Sequence, residues 1–291
     1  MIIDLHTHTF PPQLAAKALA RLTEMESDSR TFTDGTNEGL SLSMKQSGID
    51  ISVLLPIATK PSQTVRINEL AVSTNKRFLK TGILSFGSVH PDNPDYRQIL
   101  KDLAFSGVKG IKLHPIFQSC AADDIRFMRI VDAASELGLI VSIHAGYDLS
   151  MPDNDISTAD HILPMLKELK PRRLILAHMG SWSDWDGALK IAEYTPCRIW
   201  MDTSFVLPGH FTQYGSSLPK APALPATGLP AMDKQRFIQI CEAVGYDHIL
   251  FGSDSPWADQ KVSMEEIRKL QLGAEAEAGV LGENARDLLA L

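Results

Sequence analysis

The 291-residue sequence predicts a single (β/α)8 barrel. Eight short apolar runs rich in β-branched residues alternate with longer segments of helical period. Polar side chains stand at the carboxyl ends of many of these runs, where the strands of a parallel barrel open onto one face. A doubly wound open sheet is the alternative. It is disfavoured because no Gly-x-Gly-x-x-Gly turn follows the first run and because the polar groups follow many strands instead of one crevice.

Each predicted strand is a short apolar run bounded by polar or turn-forming residues. The strands are predicted at residues 2–5, 51–55, 81–86, 107–113, 139–144, 173–177, 198–202 and 248–252. Apolar residues at helical spacing predict helices at residues 12–25, 39–46, 62–75, 94–105, 125–137, 158–169, 184–193, 234–244 and from 264 onward.

Residues 203–233 interrupt this alternation. They carry several prolines, glycines and serines and show neither a strand nor a helix period. Because connections of this length inside a domain are usually functional, we predict a lid or pocket loop after the seventh strand. An excursion packed on the barrel exterior is the alternative. Residues 1–291 are predicted to form one domain.

Composition narrows the classes of partner. The chain is 44% hydrophobic and 22% charged with a net charge of −7, so it offers no basic surface for nucleic acid or anionic membrane. A small-molecule substrate is expected, and a homo-oligomer is possible.

Cys120, Cys197 and Cys241 are far apart, which argues against disulfides or a thiolate metal site and predicts buried packing residues. Without a signal peptide or a membrane-length apolar run, a cytoplasmic location is expected.

The first predicted strand ends in a pair of histidines. Residues 4–8 read DLHTH, and because strand side chains alternate, Asp4, His6 and His8 are predicted on one face and Ile3 and Leu5 on the other. Two imidazoles on one face can bind one metal ion. The pair alone is also compatible with a purely structural role.

Further polar residues end other strands. They are Lys112 and His114 after the fourth run, His144 after the fifth, His178 after the sixth and Asp254 after the eighth. In a parallel barrel all of these would converge on one mouth, whereas histidines placed at random would also fall on helices and on the opposite face. The convergence predicts a functional site.

This set is suited to a divalent metal ion. Three neutral imidazoles and one carboxylate, from His6, His8, His144 and Asp254, would leave the ion positively charged and able to lower the pKa of a bound water toward roughly 7. His178 would then act as acid, base or orienting group, and Asp254 could also move a proton. Nitrogen and oxygen ligands favour zinc, with manganese, iron or cobalt possible.

The motifs that carry these residues resemble the amidohydrolase superfamily, in its branch of metal-dependent barrel hydrolases and decarboxylases related to aminocarboxymuconate semialdehyde decarboxylase. They are DLHTH at 4–8, GVKGIKLHP at 107–115, His144, AHMG at 177–180, GSD at 252–254 and LGENAR at 281–286. The resemblance covers essentially the whole chain. It implies His6, His8, His144 and Asp254 as ligands of one ion and a role for His178 beside the metal-bound water. Ser181 stands where the family more often has a second glycine.

Four other residues receive roles as hypotheses. Lys112 is predicted to bind a substrate carboxylate, with a metal-bridging carbamate or a side chain reaching solvent as alternatives. His114 is predicted to line the pocket beside it, and Trp257 to contact substrate or pack a loop. Asp4 is predicted to accept a hydrogen bond that orients a metal ligand.

Three functions are compatible with the sequence. The first is hydrolysis of a small-molecule amide, ester or lactone by a metal-activated water. The second is nonoxidative decarboxylation of an unsaturated or aromatic acid, which should require a fixed cation for the carboxylate. Hydrolysis is favoured because no arginine stands at a strand end. The third, a non-catalytic barrel, is disfavoured because no ligand is missing.

Overall fold

The computed structural model describes residues 1–25, 30–194, 197–212 and 231–291. Within them the chain forms the predicted (β/α)8 barrel, in which every paired strand is parallel to its neighbour. The strands are β1 Ile3–Thr7, β2 Ile51–Leu54, β3 Ile83–Ser85, β4 Gly110–Leu113, β5 Ile140–Ile143, β6 Leu174–Leu176, β7 Ile199–Asp202 and β8 Ile249–Leu250. Each falls within or overlaps a predicted run.

The strands form two ladders, β1-β2-β3 and β4-β5-β6-β7-β8, that meet at two seams. At the first seam Gly87 N donates to Gly110 O at 2.9 Å and Lys112 N donates to Gly87 O at 2.8 Å. Gly110 allows this close approach, since a Cβ atom there would lie 2.8 Å from Cε2 of Phe86, the residue before Gly87.

The second seam joins the first strand to the chain after β8. Leu5 N donates to Phe251 O at 2.8 Å, and Asp254 N donates to His6 O at 2.9 Å. Only a few backbone hydrogen bonds cross each seam, in place of a regular ladder. The second seam therefore brings the residues of the DLHTH motif next to Asp254.

The helices follow the predicted order. They are α1 Pro12–Met25, α2 Asn37–Ser47, α3 Thr64–Asn75, α4 Phe78–Thr81, α5 Tyr96–Phe105, α6 Ile125–Glu136, α7 Ala159–Glu168, α8 Trp185–Glu193, α9 Pro208–Thr212, α10 Lys234–Val244, α11 Gln260–Lys269, α12 Ala274–Ala278 and α13 Asn284–Leu289. The short helices α4 and α9 were not predicted. Helix α11 begins before residue 264 because Asp259 caps its first turn by accepting from Lys261 N and Val262 N.

Two buried apolar clusters hold the barrel together. One takes alternate residues from the strands and adds residues from α13; it comprises Ile3, Leu5, Ile51, Val53, Leu55, Leu84, Phe86, Ile140, Ile175, Trp200, Leu250, Ala285, Leu288 and Leu289. The other packs the opposite strand faces against the helices. Along β5 and β7 the alternation that places Ile140 and Trp200 in the first cluster continues to His144 and Asp202. The polar site therefore lies beyond this cluster, at the carboxyl ends of the strands.

Strand β1 departs from the predicted alternation. Its register against β2 shifts between Asp4 and Thr7. Ile3 and Leu5 keep their places in the first cluster, but the Asp4 carboxylate accepts from Gln260 Nε2 of α11 at 2.7 Å. The prediction that Asp4 shares a face with the two histidines is wrong, because the shift breaks the two-residue period.

The predicted loop at 203–233 falls partly outside the described residues, which omit 213–230. Its described ends are folded: α9 forms, Val206, Phe211 and Met232 are buried, and Met232 N donates to Val206 O at 2.8 Å. The three cysteines are free and buried, as predicted. No helix in the described part of the chain is long and apolar enough to cross a membrane.

Candidate metal centre

The histidine pair of β1 meets the carboxylate that follows β8. His8 Nε2 lies 3.1 Å from His6 Nε2 and 3.2 Å from Asp254 Oδ1, and His6 Nε2 lies 3.5 Å from the same oxygen. These atoms are close enough together to bind one ion. The His6 side chain is 1% exposed, whereas those of His8 and Asp254 are 15% and 14% exposed. The group is thus reached from solvent on the side of His8 and Asp254.

The backbone at Asp254 is held in the left-handed region, with φ of 71°. This conformation is costly for a residue other than glycine, although aspartate tolerates it better than most. Burial alone would raise the pKa of Asp254, but the neighbouring His6 and His8 outweigh it and hold the pKa below its usual range. Asp254 is therefore an ionised ligand candidate.

His6 is oriented by a carboxylate that the sequence analysis missed. Asp202 ends β7, is fully buried, and places Oδ2 2.9 Å from His6 Nδ1. Burial opposes ionisation of Asp202, but His6 outweighs it and keeps the pKa of this carboxyl below its usual value. Burial in turn lowers the pKa of His6 to about 3, so its imidazole is neutral. The strand-end rule that singled out the other residues applies equally to Asp202, which ends the predicted strand 198–202.

His144 and His178 face each other across the mouth. His178 Nδ1 lies 2.9 Å from the Ser204 carbonyl oxygen, and His144 Nε2 lies 3.1 Å from the Tyr147 carbonyl oxygen. A carbonyl only accepts, so each imidazole must donate from that nitrogen. Their other nitrogens, His178 Nε2 and His144 Nδ1, are 3.1 Å apart.

Two neutral rings with these tautomers would direct two lone pairs at each other. Such an arrangement is unfavourable for two bare nitrogens 3.1 Å apart, and it is relieved when one of them binds a metal ion and the other accepts a hydrogen bond. Among the described residues, the ligand atoms of His6, His8 and Asp254 form one close group, whereas His144 is grouped with His114 and Asp148, so His144 as a fourth ligand of the same ion stays a prediction. Backbone strain accompanies the arrangement, because His178 also has a positive φ, of 57°.

His144 also belongs to a group with His114 and Asp148. Asp148 Oδ2 lies 3.5 Å from His114 Nε2 and 3.9 Å from His144 Nε2, and the two rings stack at 4.0 Å with an 11° interplanar angle. Phe117 N donates to His114 Nδ1, which leaves the proton on Nε2. Asp148 therefore faces the protonated Nε2 of His114, while His144 Nε2 donates to the Tyr147 carbonyl and is held beside this pair by the ring stack.

Lys112 is buried at the end of β4. Its side chain is 1% exposed, and Nζ has no hydrogen-bond partner among the described residues. Burial lowers the pKa of Lys112 to about 8, with Asp202 and Asp254 opposing the drop. The alternative in which this lysine reaches solvent is excluded. A buried ammonium without a partner is suited to binding an anion.

Asp4 accepts hydrogen bonds from the backbone of the candidate ligand His6 and of Ser253, the residue before Asp254. Its carboxylate accepts from His6 N at 3.2 Å, from Ser253 N at 3.0 Å and from Ser253 Oγ at 2.6 Å, while burial raises its pKa to about 6. Ser253 immediately precedes Asp254. Asp4 thus contacts main-chain groups next to the site and no imidazole.

The tryptophans near the mouth differ in their surroundings. Trp182 is buried and donates from Nε1 to the Phe205 carbonyl at 2.9 Å, so it packs the rim. Trp257 is partly exposed, and its backbone N–H donates to Asp254 O at 2.9 Å. Its position next to Asp254 is compatible with the predicted substrate contact, which stays a prediction.

Solved structures share this fold over nearly their whole length. The 5-carboxyvanillate decarboxylase from Sphingomonas paucimobilis has a TM-score of 0.69 at 15% identity, covering 100% of this chain and 99% of that one. A probable 2-pyrone-4,6-dicarboxylic acid hydrolase from Acinetobacter baumannii has a TM-score of 0.64 at 15% identity, with 100% and 99% coverage. A 5-carboxyvanillate decarboxylase from Novosphingobium aromaticivorans, solved with bound manganese, has a TM-score of 0.68 at 13% identity, with 100% and 97% coverage.

Comparison at the sequence level gives the family. No curated protein matches the sequence. The sequence model described as amidohydrolase matches residues 3–291, from the first residue of β1 to the end of the chain. The matched region contains every residue of the candidate metal centre, and the structural neighbours include both hydrolases and decarboxylases. The chain belongs to the amidohydrolase family.

Proposed function

We propose that this chain is a metal-dependent hydrolase that acts on a small-molecule amide, ester or lactone. The observation that carries the proposal is the close group of His6, His8 and Asp254, with His178 beside His6 and His144 beside His178. The hydrogen bonds described above leave His144 Nδ1 and His178 Nε2 unprotonated and facing each other. Such a donor set favours one divalent ion, with zinc the first choice and manganese, iron or cobalt compatible.

Each residue has a proposed role in the reaction. His6, His8, His144 and Asp254 hold the ion, which when bound supplies Lewis-acid polarisation of a carbonyl and a lowered pKa for water. His178 Nε2 accepts the proton released from the attacking water and returns it to the leaving group, because its Nδ1 is committed to the Ser204 carbonyl. Asp254 is the second group in reach of this proton.

Lys112 points to substrates that carry a carboxylate. Its buried ammonium has no hydrogen-bond partner among the described residues and interacts electrostatically with Asp202 and Asp254. The similar hydrolase is named for a dicarboxylic acid and the similar decarboxylases for a carboxylated aromatic compound. We propose a carboxylate-bearing ring compound as substrate, with His114 and Trp257 lining its pocket.

A decarboxylase is the second candidate, and Lys112 is the observation that favours it. Nonoxidative decarboxylation requires the departing carboxylate to be held and the developing negative charge to be stabilised. The buried Lys112 meets the first requirement, a fixed cation that holds the carboxylate. No arginine at the end of a described strand supplies this cation. Two of the similar structures named above are decarboxylases.

One experiment separates these candidates. The purified chain is freed of metal with a chelator, reloaded singly with zinc, manganese, iron or cobalt, and incubated with lactones, amides, esters and hydroxybenzoates. Acid release without carbon dioxide identifies a hydrolase, and carbon dioxide release identifies a decarboxylase. Activity should fall below detection in the metal-free protein and return with at least one metal. Full activity without metal would refute both candidates.

A matched variant controls for damage to the fold. His161→Gln removes a histidine of α7 that lies outside the metal centre. Its Nδ1 atom is 2.7 Å from Asp123 Oδ1. This variant should bind metal and turn over substrate like the unmodified chain, whereas His178→Gln should retain metal and lose at least about a hundredfold in turnover, the usual range for a lost acid–base group.

A further inference from the structure

Asp202 and Ser204 lie between the two imidazoles that end β1 and β6. Asp202 Oδ2 is 2.9 Å from His6 Nδ1. Ser204 Oγ is 2.9 Å from His6 Nδ1 and 2.9 Å from His178 Nδ1, and it also donates to Asp202 Oδ1. One serine hydroxyl therefore touches both histidines and the carboxylate, and all four side chains are buried.

The protons in this cluster can be placed in one consistent way. Asp202 Oδ1 accepts from the backbone N–H groups of His178 and Ser204, both at 3.1 Å, and from the Ser204 hydroxyl. The hydroxyl has then used its single proton and can only accept from the two imidazoles. Hence His6 and His178 both carry a proton on Nδ1, and both leave Nε2 bare.

We infer that Asp202 and Ser204 together fix the Nδ1–H tautomers of His6 and His178, with the Asp202 carboxylate acting directly on His6 and the Ser204 carbonyl acting on His178. The inference rests on the proposed function in one respect: a bare Nε2 is what metal binding requires of His6 and what proton transfer requires of His178. Asp202 and Ser204 are thus positioning residues, since they act through the two imidazoles and not on substrate.

The surrounding chain leaves room for this cluster. A Cβ atom on Gly252 would lie 2.8 Å from His6 Cβ, 3.3 Å from Ser204 Cβ and 3.5 Å from Asp202 Cβ. The glycine after β8 therefore lets the three side chains approach one another. Phe205, which follows the serine, takes a positive φ of 54° and turns the chain so that the carbonyl of Ser204 also reaches His178.

Asp202→Asn is the decisive variant. Two backbone N–H groups face Oδ1 and cannot change their protonation, so the asparagine oxygen must remain on them. The amide NH2 group then faces His6 Nδ1, which must accept instead of donate. We expect His6 to move its proton to Nε2, the nitrogen that faces His8 and Asp254.

Two measurements on the full-length chain test this inference. In metal-free protein labelled with 15N-histidine, the ring nitrogens of His6 and His178 should report Nδ1–H tautomers, and D202N should convert His6 to Nε2–H. Metal affinity, measured by competition with a chromophoric chelator, should fall about 10- to 100-fold. Neither measurement requires a substrate. The inference about tautomers can therefore fail while the proposed reaction stands, and the proposed reaction can fail while the inference stands.

The control makes the same aspartate-to-asparagine substitution beside another histidine, outside the metal centre. Asp123→Asn alters the carboxylate beside His161 Nδ1 and should leave metal affinity unchanged. Ser204→Ala keeps the carboxylate and the Ser204 carbonyl, so it should preserve both tautomers. An Nε2–H tautomer at either histidine in the unmodified chain, or unchanged metal affinity in a folded D202N, would overturn the inference. If D202N does not fold, the spectrum of the unmodified chain decides.

Discussion

Asp254→Asn is expected to lower metal affinity by at least about a hundredfold and to abolish turnover, because even partners that only support a ligand cost 10- to 100-fold when they are removed. Asp254 is the ionised carboxylate among the candidate ligands, 3.2 Å from His8 Nε2 and 3.5 Å from His6 Nε2. Without it the ion would be held by neutral imidazoles alone. Metal content by elemental analysis and affinity by chelator competition measure the loss.

Asparagine is preferred to alanine at this position for a structural reason. Residue 254 has φ of 71°, a conformation that asparagine adopts readily and alanine does not. D254N therefore separates loss of the ligand from backbone strain, whereas D254A combines both. Asp92→Asn, at an exposed carboxylate paired with Arg126, is the control and should retain metal. A D254N protein with normal metal content would remove Asp254 from the centre.

Lys112→Met is expected to stabilise the fold and to impair function. Burial lowers the pKa of Lys112 from 10.5 to about 8, which corresponds to about 3 kcal/mol against folding while the amine is charged in both states. Methionine has a similar length and no charge. The free energy of unfolding of the metal-free protein at pH 7 should rise by up to about that amount, as measured by urea titration.

The pH dependence of the free energy of unfolding tests independently whether the charge on Lys112 destabilises the fold. The unfolded chain binds the Lys112 proton more tightly than the folded chain, so the penalty is fully present below pH 8 and disappears as the pH rises toward 10.5. The stability contributed by this residue should therefore rise across that interval in the unmodified chain and stay flat in K112M. A parallel pH profile in both proteins would contradict the buried, charged state.

The functional effect of K112M should appear on substrate binding. If Lys112 binds a substrate carboxylate, K112M should weaken competitive inhibition by aromatic carboxylates at least about tenfold, the value of one charge-assisted hydrogen bond, and leave metal content unchanged. Lys101→Met, on the exposed surface of α5, is the control. Unchanged inhibition in K112M would assign the lysine another role and remove the support it gives to a carboxylate-bearing substrate.

The sequence predicted where the site would form because strand ends obey a simple rule. His144 and Asp202 continue the alternation that buries Ile140 and Trp200, so both point into the mouth. Asp202 was not predicted to belong to the site, although it ends a predicted strand and the same strand-end rule applies to its carboxylate. Asp148, by contrast, lies in the loop after β5, and its approach to His114 follows from the path of that loop, which no period encodes.

Two further features depend on the three-dimensional structure. Asp4 lies between Ile3 and Leu5 and faces α11, and the register shift that follows it in β1 separates it from His6, which a two-residue period cannot anticipate. The tautomers of His144 and His178 are set by the backbone carbonyls of Tyr147 and Ser204. A backbone carbonyl is present at every position, so its presence in the sequence carries no information about which imidazole it meets.

The seam between β1 and β8 gives the ion a mechanical consequence. His6 lies in β1 and His8 directly after it, Asp254 follows β8, and few main-chain hydrogen bonds connect the two segments. An ion shared by these residues would connect the two sides of this seam, so that its binding energy adds directly to resistance against opening. Closure of the barrel and binding of the ion would then stabilise each other.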